Sequence, residues 1–235
     1  MSGQFDGSDP NLDAALRAQM TALNVSYAQF FANAVNTTNR GIDLVADYSK
    51  KWGKRYVKGL IAGNFQKMTI DNINVPAKLA ASTFLQQTFL SDREQHFILA
   101  SAPRSKISSL VEYGVDRISF GTRLTYFGNV TLLGYGEDGL GINPTVPLDN
   151  GTGNVPDQYN YRGKATVDLY GSYRVSPQFT LFGGVDNFFN VHPDLGVAQG
   201  AKDWAYNNET GGPWDAVQMG GNGRRIFLKL AFSFN

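Results

Sequence analysis

No cysteine occurs in the 235 residues, which removes disulfides, thiolate metal sites and cysteine nucleophiles together. Histidine is nearly absent too. His96 and His192 fall in different polar segments with no second histidine at ligand spacing, so a zinc-type site is unsupported. What stays open for them is a loop histidine touching a metal chelate, and His192, beside Pro193, reads as a residue shaping the entrance of its loop. Excess charge is missing: the formal net charge is +1, leaving no electrostatic basis for a nucleic-acid partner. Charged residues make up only 17%, against a usual ~25%. No serine sits in a nucleophile elbow and no carboxylate pair has a spacing that commits it to acid/base work, so neither a catalytic residue nor a cofactor is indicated. No apolar run approaches ~18 residues, which excludes a transmembrane helix. Met1 to Asp6 shows no basic region followed by an apolar stretch, so no signal peptide is legible.

What the chain has is glycine (26 residues), aromatics (13%) and alternation. Ala165, Val167, Leu169, Gly171, Tyr173 and Val175 alternate with Thr166, Asp168, Tyr170, Ser172 and Arg174. A period of two places these sets on opposite faces of a β-strand. After Ser176-Pro177-Gln178, the residues Phe179, Leu181, Gly183, Val185 and Phe189 repeat the pattern. Ile226, Leu228, Leu230, Phe232 and Phe234 do so in a last strand whose other face carries Lys229 and Ser233, with Phe227 and Ala231 between. The same grammar runs through Ile42 to Tyr48, Val57 to Phe65, Ile107 to Tyr113 and Ile118 to Tyr126. Seven strands are expected, near 41–51, 55–67, 105–113, 117–129, 164–175, 179–190 and 223–234. Polar residues inside with apolar residues outside is the pattern of a transmembrane barrel.

The connections alternate as well. Tight turns are expected near Trp52-Gly53, at Gly114-Val115-Asp116 and at Ser176-Pro177-Gln178. Long polar loops fall between them, from Met68 to Arg104, Val130 to Gly163 and Val191 to Asn222. Bacterial outer-membrane barrels put short turns on the periplasmic side and long loops outside. That sidedness makes the C-terminus periplasmic and residues 191–222 extracellular. Residues 1–40 read as an extracellular loop holding a short helix, Asp13 to Leu23, capped by Asp9 or Asn11, and 41–235 as the barrel strands. A strand near Val25 to Val35 is only weakly patterned. Seven strands cannot close a bacterial single-chain barrel, which uses an even number from ~8, and lipid tolerates no open sheet edge. The expected architecture is therefore all-β: an open antiparallel segment of a larger barrel, beginning inside an extracellular loop.

Several segments carry a family resemblance. They are Phe30 to Tyr48, then Ala102-Pro103-Arg104-Ser105-Lys106, Tyr126-Phe127-Gly128-Asn129-Val130 and Asp168-Leu169-Tyr170-Gly171-Ser172-Tyr173. The fifth is Phe182-Gly183-Gly184-Val185-Asp186-Asn187-Phe188-Phe189-Asn190, followed by His192-Pro193-Asp194. In this order, and with Gly223-Arg224-Arg225 opening the last strand, the chain resembles the C-terminal barrel of TonB-dependent outer-membrane receptors. The resemblance implies strands sixteen to twenty-two of a 22-stranded barrel in the bacterial outer membrane. It implies a parent that takes up a scarce, large solute, such as a ferric siderophore, cobalamin or an oligosaccharide, with energy delivered by the TonB system. Its partners would be outer-membrane lipid, the N-terminal plug and remaining strands of the same receptor, and the small-molecule or chelate substrate. This chain departs from the family in lacking the plug and energy-coupling box, and in ending on Asn235 after the aromatic Phe234. Two alternatives stand beside it: a complete small barrel of ~8 strands acting as an anchor or adhesin, which needs residues 22–36 paired with the last strand, and a soluble ligand-binding barrel with its apolar face inward.

Candidate sites are few. Gly134-Tyr135-Gly136-Glu137-Asp138-Gly139 matches G-x-G-x-x-G but leads into Pro144 and Pro147 rather than a helix, so it reads as a loop. Asp43, Asp47, Arg123, Asp168, Arg174 and Asp186 lie on the polar face, as hydrated lumen wall or as contacts for the plug or passing solute. Lys50-Lys51-Trp52-Gly53-Lys54-Arg55 reads as a solvated hairpin turn, with contact to anionic headgroups as the sharper alternative. The loop aromatics Tyr135, Tyr159, Tyr161, Trp204, Tyr206 and Trp214 are the binding candidates, because rings held on a rigid wall stack on sugars and aromatic chelates. Anchoring one loop on another is the competing role for each.

Overall fold

Gly53 sits at φ 58° in the two-residue turn that joins the first long hairpin, where a bulkier side chain would be strained. In this computed structural model the described residues are 2–6, 14–31, 33, 35–77, 79–80, 83–101, 103–204 and 218–233. Seven strands form one antiparallel sheet: β3 (Val35–Trp52), β4 (Arg55–Ile73), β5 (Ser105–Val115), β6 (Ile118–Phe127), β11 (Lys164–Arg174), β12 (Phe179–Asp186) and β13 (Arg225–Phe232). Their spatial order is β13-β12-β11-β6-β5-β4-β3, the order of the chain itself, and β3 and β13 are not paired with each other. The sheet is an open, antiparallel, up-and-down wall.

Register shows why one face is apolar. Cross-strand partners share a face, and Tyr48, Gly59, Val111, Thr122, Leu169, Val185 and Ile226 form one continuous row across all seven strands. The adjacent row, on the opposite face, is Ser49, Lys58, Glu112, Gly121, Tyr170, Gly184 and Phe227. On the first face Ile226 is 77% exposed, Leu228 72% and Phe120 68%. Among the described residues, every buried apolar residue lies outside this sheet.

Boundaries differ from the sequence reading in instructive ways. The first hairpin is longer than its alternation, 18 and 19 residues. Its outer part is held by polar side chains: Asn39 Nδ2 donates to Gln66 Oε1 at 3.0 Å, and a bulge breaks the register between Asn36 and Thr37. The second tight turn lies at Asp116-Arg117, one residue later than expected, because Gly114 is a strand residue covered by the Tyr56 ring. Asp116 occupies the positive-φ position there at 53°.

The helix expected over 13–23 is α1 (Ala14–Ala22), and its capping candidates Asp9 and Asn11 lie outside the described residues. The weakly patterned segment forms β2 (Tyr27–Phe31), which pairs with β1 (Ser2–Asp6) in a separate two-stranded sheet. It does not pair with the last strand, so the complete small barrel lacks its closing contact among the described residues.

The long connections have structure of their own. The first holds α2 (Thr83–Phe89) and α3 (Asp92–Leu99). The second folds into β7 (Val130–Leu133) paired with β10 (Gln158–Tyr161), and β8 (Thr145–Pro147) paired with β9 (Asn154–Pro156).

Candidate functional site

Two regions bring polar and aromatic groups together: the polar face of the wall, and the cluster of long connections at the end opposite the tight turns.

On the polar face, three aromatic rings lie over strand glycines. A Cβ on Gly114 would meet the Tyr56 ring at 2.1 Å, one on Gly121 the Tyr170 ring at 2.1 Å, and one on Gly184 the Phe227 ring at 2.6 Å. Glycine at these positions lets each ring lie flat across the neighbouring strand, as in other glycine–aromatic strand pairs. The consequence is convergence on Glu112: Tyr56 donates its hydroxyl to Glu112 Oε1 at 2.8 Å, and Tyr170 reaches the same carboxylate across Gly121. Ser119 and Ser172 hydroxyls meet at 2.8 Å one row away. A hollow of about 260 Å³ opens beside them between Arg123, Asp168, Tyr170, Phe182, Phe227 and Lys229.

Most of the charged residues read as lumen wall pair across strands, whereas Asp47 faces Leu60 in register. Asp43 Oδ1 accepts from Asn64 Nδ2 at 2.7 Å, Asp168 is the register partner of Arg123, and Asp186 bridges Arg225 at 2.6 Å. Arg174 donates to the Asp116 carbonyl at 3.3 Å.

The Val185 to Asn190 segment is a device for leaving the wall. The Asn187 N–H donates to Asp168 Oδ1 at 2.8 Å, and the Asn187 side chain both donates to the Val191 carbonyl (2.8 Å) and accepts from the Val191 N–H (2.9 Å). Asn187 and Asn190 take positive φ, 50° and 57°, which asparagine tolerates better than most residues. Asn190 Oδ1 then accepts from the Arg224 N–H at 2.9 Å, and His192 Nδ1 lies 3.2 Å from the Gly221 carbonyl. His192 thus ties the two ends of the last connection together.

The connections themselves form a cap with an aqueous-type interior. Val130, Leu132 and Tyr161 make one buried cluster, with Tyr159 and Ala100 against it. Val146, Ala198 and Ala201 make another, with Trp204 and Val155 packed on it. Polar clasps join the three connections. Arg93 stacks on the Tyr135 ring at 3.9 Å, and the Asn143 N–H donates to Asp92 Oδ2 at 2.9 Å. Asp149 accepts from the Lys202 and Asp203 N–H groups at 3.0 and 2.8 Å. Asp194 bridges both Arg162 (3.1 Å) and Lys164 (2.7 Å). The Arg162 hydrogen bonds, and more weakly Lys164, hold the Asp194 carboxyl well below the usual carboxylate range against the opposing effect of burial. Asp194 in turn raises the Arg162 guanidinium. Burial pushes the Glu94 carboxyl up, opposed by its bond from the Ser91 backbone N–H.

These contacts place the loop aromatics. Tyr161 is 1% exposed and serves as an anchor within the cap. Tyr159 and Trp204 are half-buried against the two clusters, and Tyr135 is exposed beneath Arg93. Tyr206 and Trp214 lie outside the described residues. Gly136 and Gly139 take φ of 75° and 71° in a turn that Asp157 secures by accepting the Gly136 N–H at 2.9 Å, and no helix follows. The clasp residues Asp92, Asp149 and Asp194 escaped the sequence reading. Only α3 had a local signal, the Ser91-x-x-Glu94 capping box, whose two reciprocal bonds are both present. At the base of the cap a second hollow, about 190 Å³, is lined by His96, Arg104, Asn129 and Thr131, a donor set suited to an anionic or carbonyl-rich group.

No family model matches the chain, and no curated relative matches it in sequence. Among solved structures it is similar to the ferripyoverdine receptor of the outer membrane of Pseudomonas aeruginosa bound to ferripyoverdine, with TM-score 0.46 and 12% identity over 97% of this chain and 22% of that one. For the pyoverdine outer membrane receptor FpvA from P. aeruginosa PAO1 bound to pyoverdine the values are 0.45, 13%, 94% and 25%. For the complex of FpvAI with pyocin S2 they are 0.44, 12%, 93% and 22%. The chain spans 22 to 25% of the length of these structures.

Proposed function

We propose that this chain is the C-terminal part of the barrel of a TonB-dependent outer-membrane receptor. The parent takes up a scarce, large solute: a ferric siderophore, cobalamin or an oligosaccharide. One observation carries the reading. The wall leaves an apolar face uncovered from Ile42 to Phe232, while among the described residues the buried apolar ones all sit in the connections and the N-terminal segment. A face of that extent has no stable place in water but matches hydrocarbon, and strands whose backbone bonds run between neighbours are one of the two structures that cross it. The five ordered motifs support the family. A soluble ligand-binding barrel requires the same face to be interior, and Ile42, Leu44 and Tyr48 are exposed.

On this reading the tight turns are periplasmic and the cap is extracellular. Residues 1–40 belong with the cap, although the long first strand already begins at Val35. The missing wall and the plug come from the rest of the receptor, and the TonB system acts through that parent. The chain carries no reaction chemistry of its own. Tyr159 and Trp204 are the rings proposed to meet the solute, with Tyr161 as an anchor of the scaffold, and Tyr206 and Trp214, outside the described residues, are proposed with them by residue type alone. The test is fractionation and uptake in cells carrying the parent gene. The receptor should fractionate with the outer membrane, and uptake of one of the three solute classes should stop when the inner membrane is de-energised. Recovery in the soluble fraction without detergent would overturn the proposal.

A further inference from the structure

The basic hairpin Lys50 to Arg55 is left without a role by solute uptake, and its side chains divide between the two faces of the wall. Register places Trp52 opposite Arg55 and Lys50 opposite Val57, so Lys50, Trp52 and Arg55 all belong to the apolar face. Lys51 and Lys58 belong to the polar face, in adjacent rows with Tyr56 and Ser49 as their respective partners. Lys54, in the turn, is bridged to Asp116 at 3.6 Å.

The two rows nearest the tight turns on the apolar face contain no aspartate or glutamate. They read Trp52, Arg55, Val115, Ile118, Tyr173, Leu181 and Leu230, then Lys50, Val57, Tyr113, Phe120, Gly171, Gly183 and Leu228. Lys50 and Arg55 are diagonal neighbours across the hairpin, at a separation of roughly 7–8 Å between their α-carbons, a gap that two long side chains can close around one phosphate. Beside them the Trp52 and Tyr113 rings lie 6.4 Å apart, both exposed, as rings at a headgroup boundary are.

A second feature leads away from the cations. One row further along β4 stands Gly59, where an added Cβ would meet nothing closer than 3.9 Å. Its neighbours on the same face, Tyr48, Val57, Ile61 and Val111, all rise above it. The result is a shallow apolar dimple one row inward from the cation pair, ringed by these four side chains.

Building on the outer-membrane reading, we propose that Lys50 and Arg55 bind the phosphate of an anionic phospholipid of the periplasmic leaflet, with one acyl chain lying over Gly59. Two cations facing one phosphate leave an uncompensated positive charge. That favours a headgroup with no ammonium, of the phosphatidylglycerol kind, over a zwitterionic one.

The experiment uses the receptor that contains this chain, refolded in zwitterionic detergent doped with phosphatidylglycerol or phosphatidylcholine, with retained lipid counted by native mass spectrometry. Insertion into vesicles is scored separately by heat-modifiable gel mobility. Lys50→Gln with Arg55→Gln should weaken phosphatidylglycerol retention at least about tenfold, the scale of two headgroup-level cations. Lys51→Gln with Lys58→Gln, the same charge change on the other face, should leave it unaltered. Lys50→Arg with Arg55→Lys should retain the lipid. Equal loss in the two glutamine pairs, loss in neither, or displacement of the lipid by millimolar inorganic phosphate overturns the lipid site while leaving the outer-membrane reading intact. Failure of the unmodified receptor to insert at all overturns both.

Discussion

In the wall the large apolar side chains are turned outward, and in the cap the same residue types are turned inward. Leu228 is 72% exposed and Phe232 62%, while Tyr161 is 1% exposed and Val146 is fully buried. One chain thus shows two opposite hydrophobic orders, split along the line between the strands and their long connections. The driving force is the same in both regions: apolar surface leaves water. In the cap it does so by packing on itself; in the wall, which is one strand layer thick, it does so against hydrocarbon on the proposed outer-membrane reading. Polar groups follow the inverse rule. The wall keeps its Asp168 and Glu112 on the opposite face, hydrogen-bonded across strands, whereas the cap spends Asp92, Asp149 and Asp194 as clasps between loops.

The contrast breaks most severely if a charge is moved to the outer face. Ile226→Arg, in the apolar-face row beyond those that hold Arg55 and Lys50, should lower the stability of the folded, inserted receptor by about 2–4 kcal/mol. Lys229→Arg, on the polar face, should be nearly neutral. Heat-modifiable receptor in outer-membrane fractions reads both, and equal levels would mean the faces are reversed.

A smaller effect is expected in the cap. Asp194→Asn removes the charge that holds Arg162 and Lys164, so trypsin should cut after these two residues roughly three- to tenfold faster, the size of partly exposed charge-assisted bonds. Wall mobility on gels should not change.

The same clasp gives a pH dependence of known sign. The Asp194 carboxyl is depressed in the fold, so its contribution is present above the ordinary carboxylate value of ~3.9 and is lost only as pH falls through the depressed folded value. Trypsin-independent readouts such as hydrogen-exchange protection factors at residues 158–164, corrected for the intrinsic base-catalysed rate, should therefore be flat between about pH 7 and 5. A fall in protection across that window would show that another group governs the clasp.

The wall was legible in the sequence because burial on one face enforces a strict period of two, clearest in Ala165 to Val175 and Ile226 to Phe232. Where both faces are polar the period vanishes, which is why the outer part of the first hairpin, Val35 to Asn39 against Met68 to Ile73, read as loop. Val45, Leu60 and Leu110 also blur the alternation, since register puts them on the polar face with Asp47 and Arg123. In the cap, strands of three or four residues are too short to show any period. Its candidate site was half legible. Aromatic residue type pointed to Tyr159, Tyr161 and Trp204, but whether a ring anchors or binds depends on contacts such as Tyr161 with Val130, 31 positions away. The Asp194 clasp spans 30 to 32 residues and leaves no local trace.

Because the chain has no cysteine, single cysteines can be introduced and spin-labelled one at a time along the last strand, in the receptor reconstituted in lipid. Labels at Ile226→Cys, Leu228→Cys and Leu230→Cys should collide preferentially with oxygen dissolved in hydrocarbon. Labels at Phe227→Cys and Lys229→Cys should collide preferentially with a water-soluble nickel chelate. That period of two, with the even positions in lipid, is the expected result. The opposite phase, or equal access to the aqueous reagent along the whole strand, would contradict the claim that this wall faces a membrane.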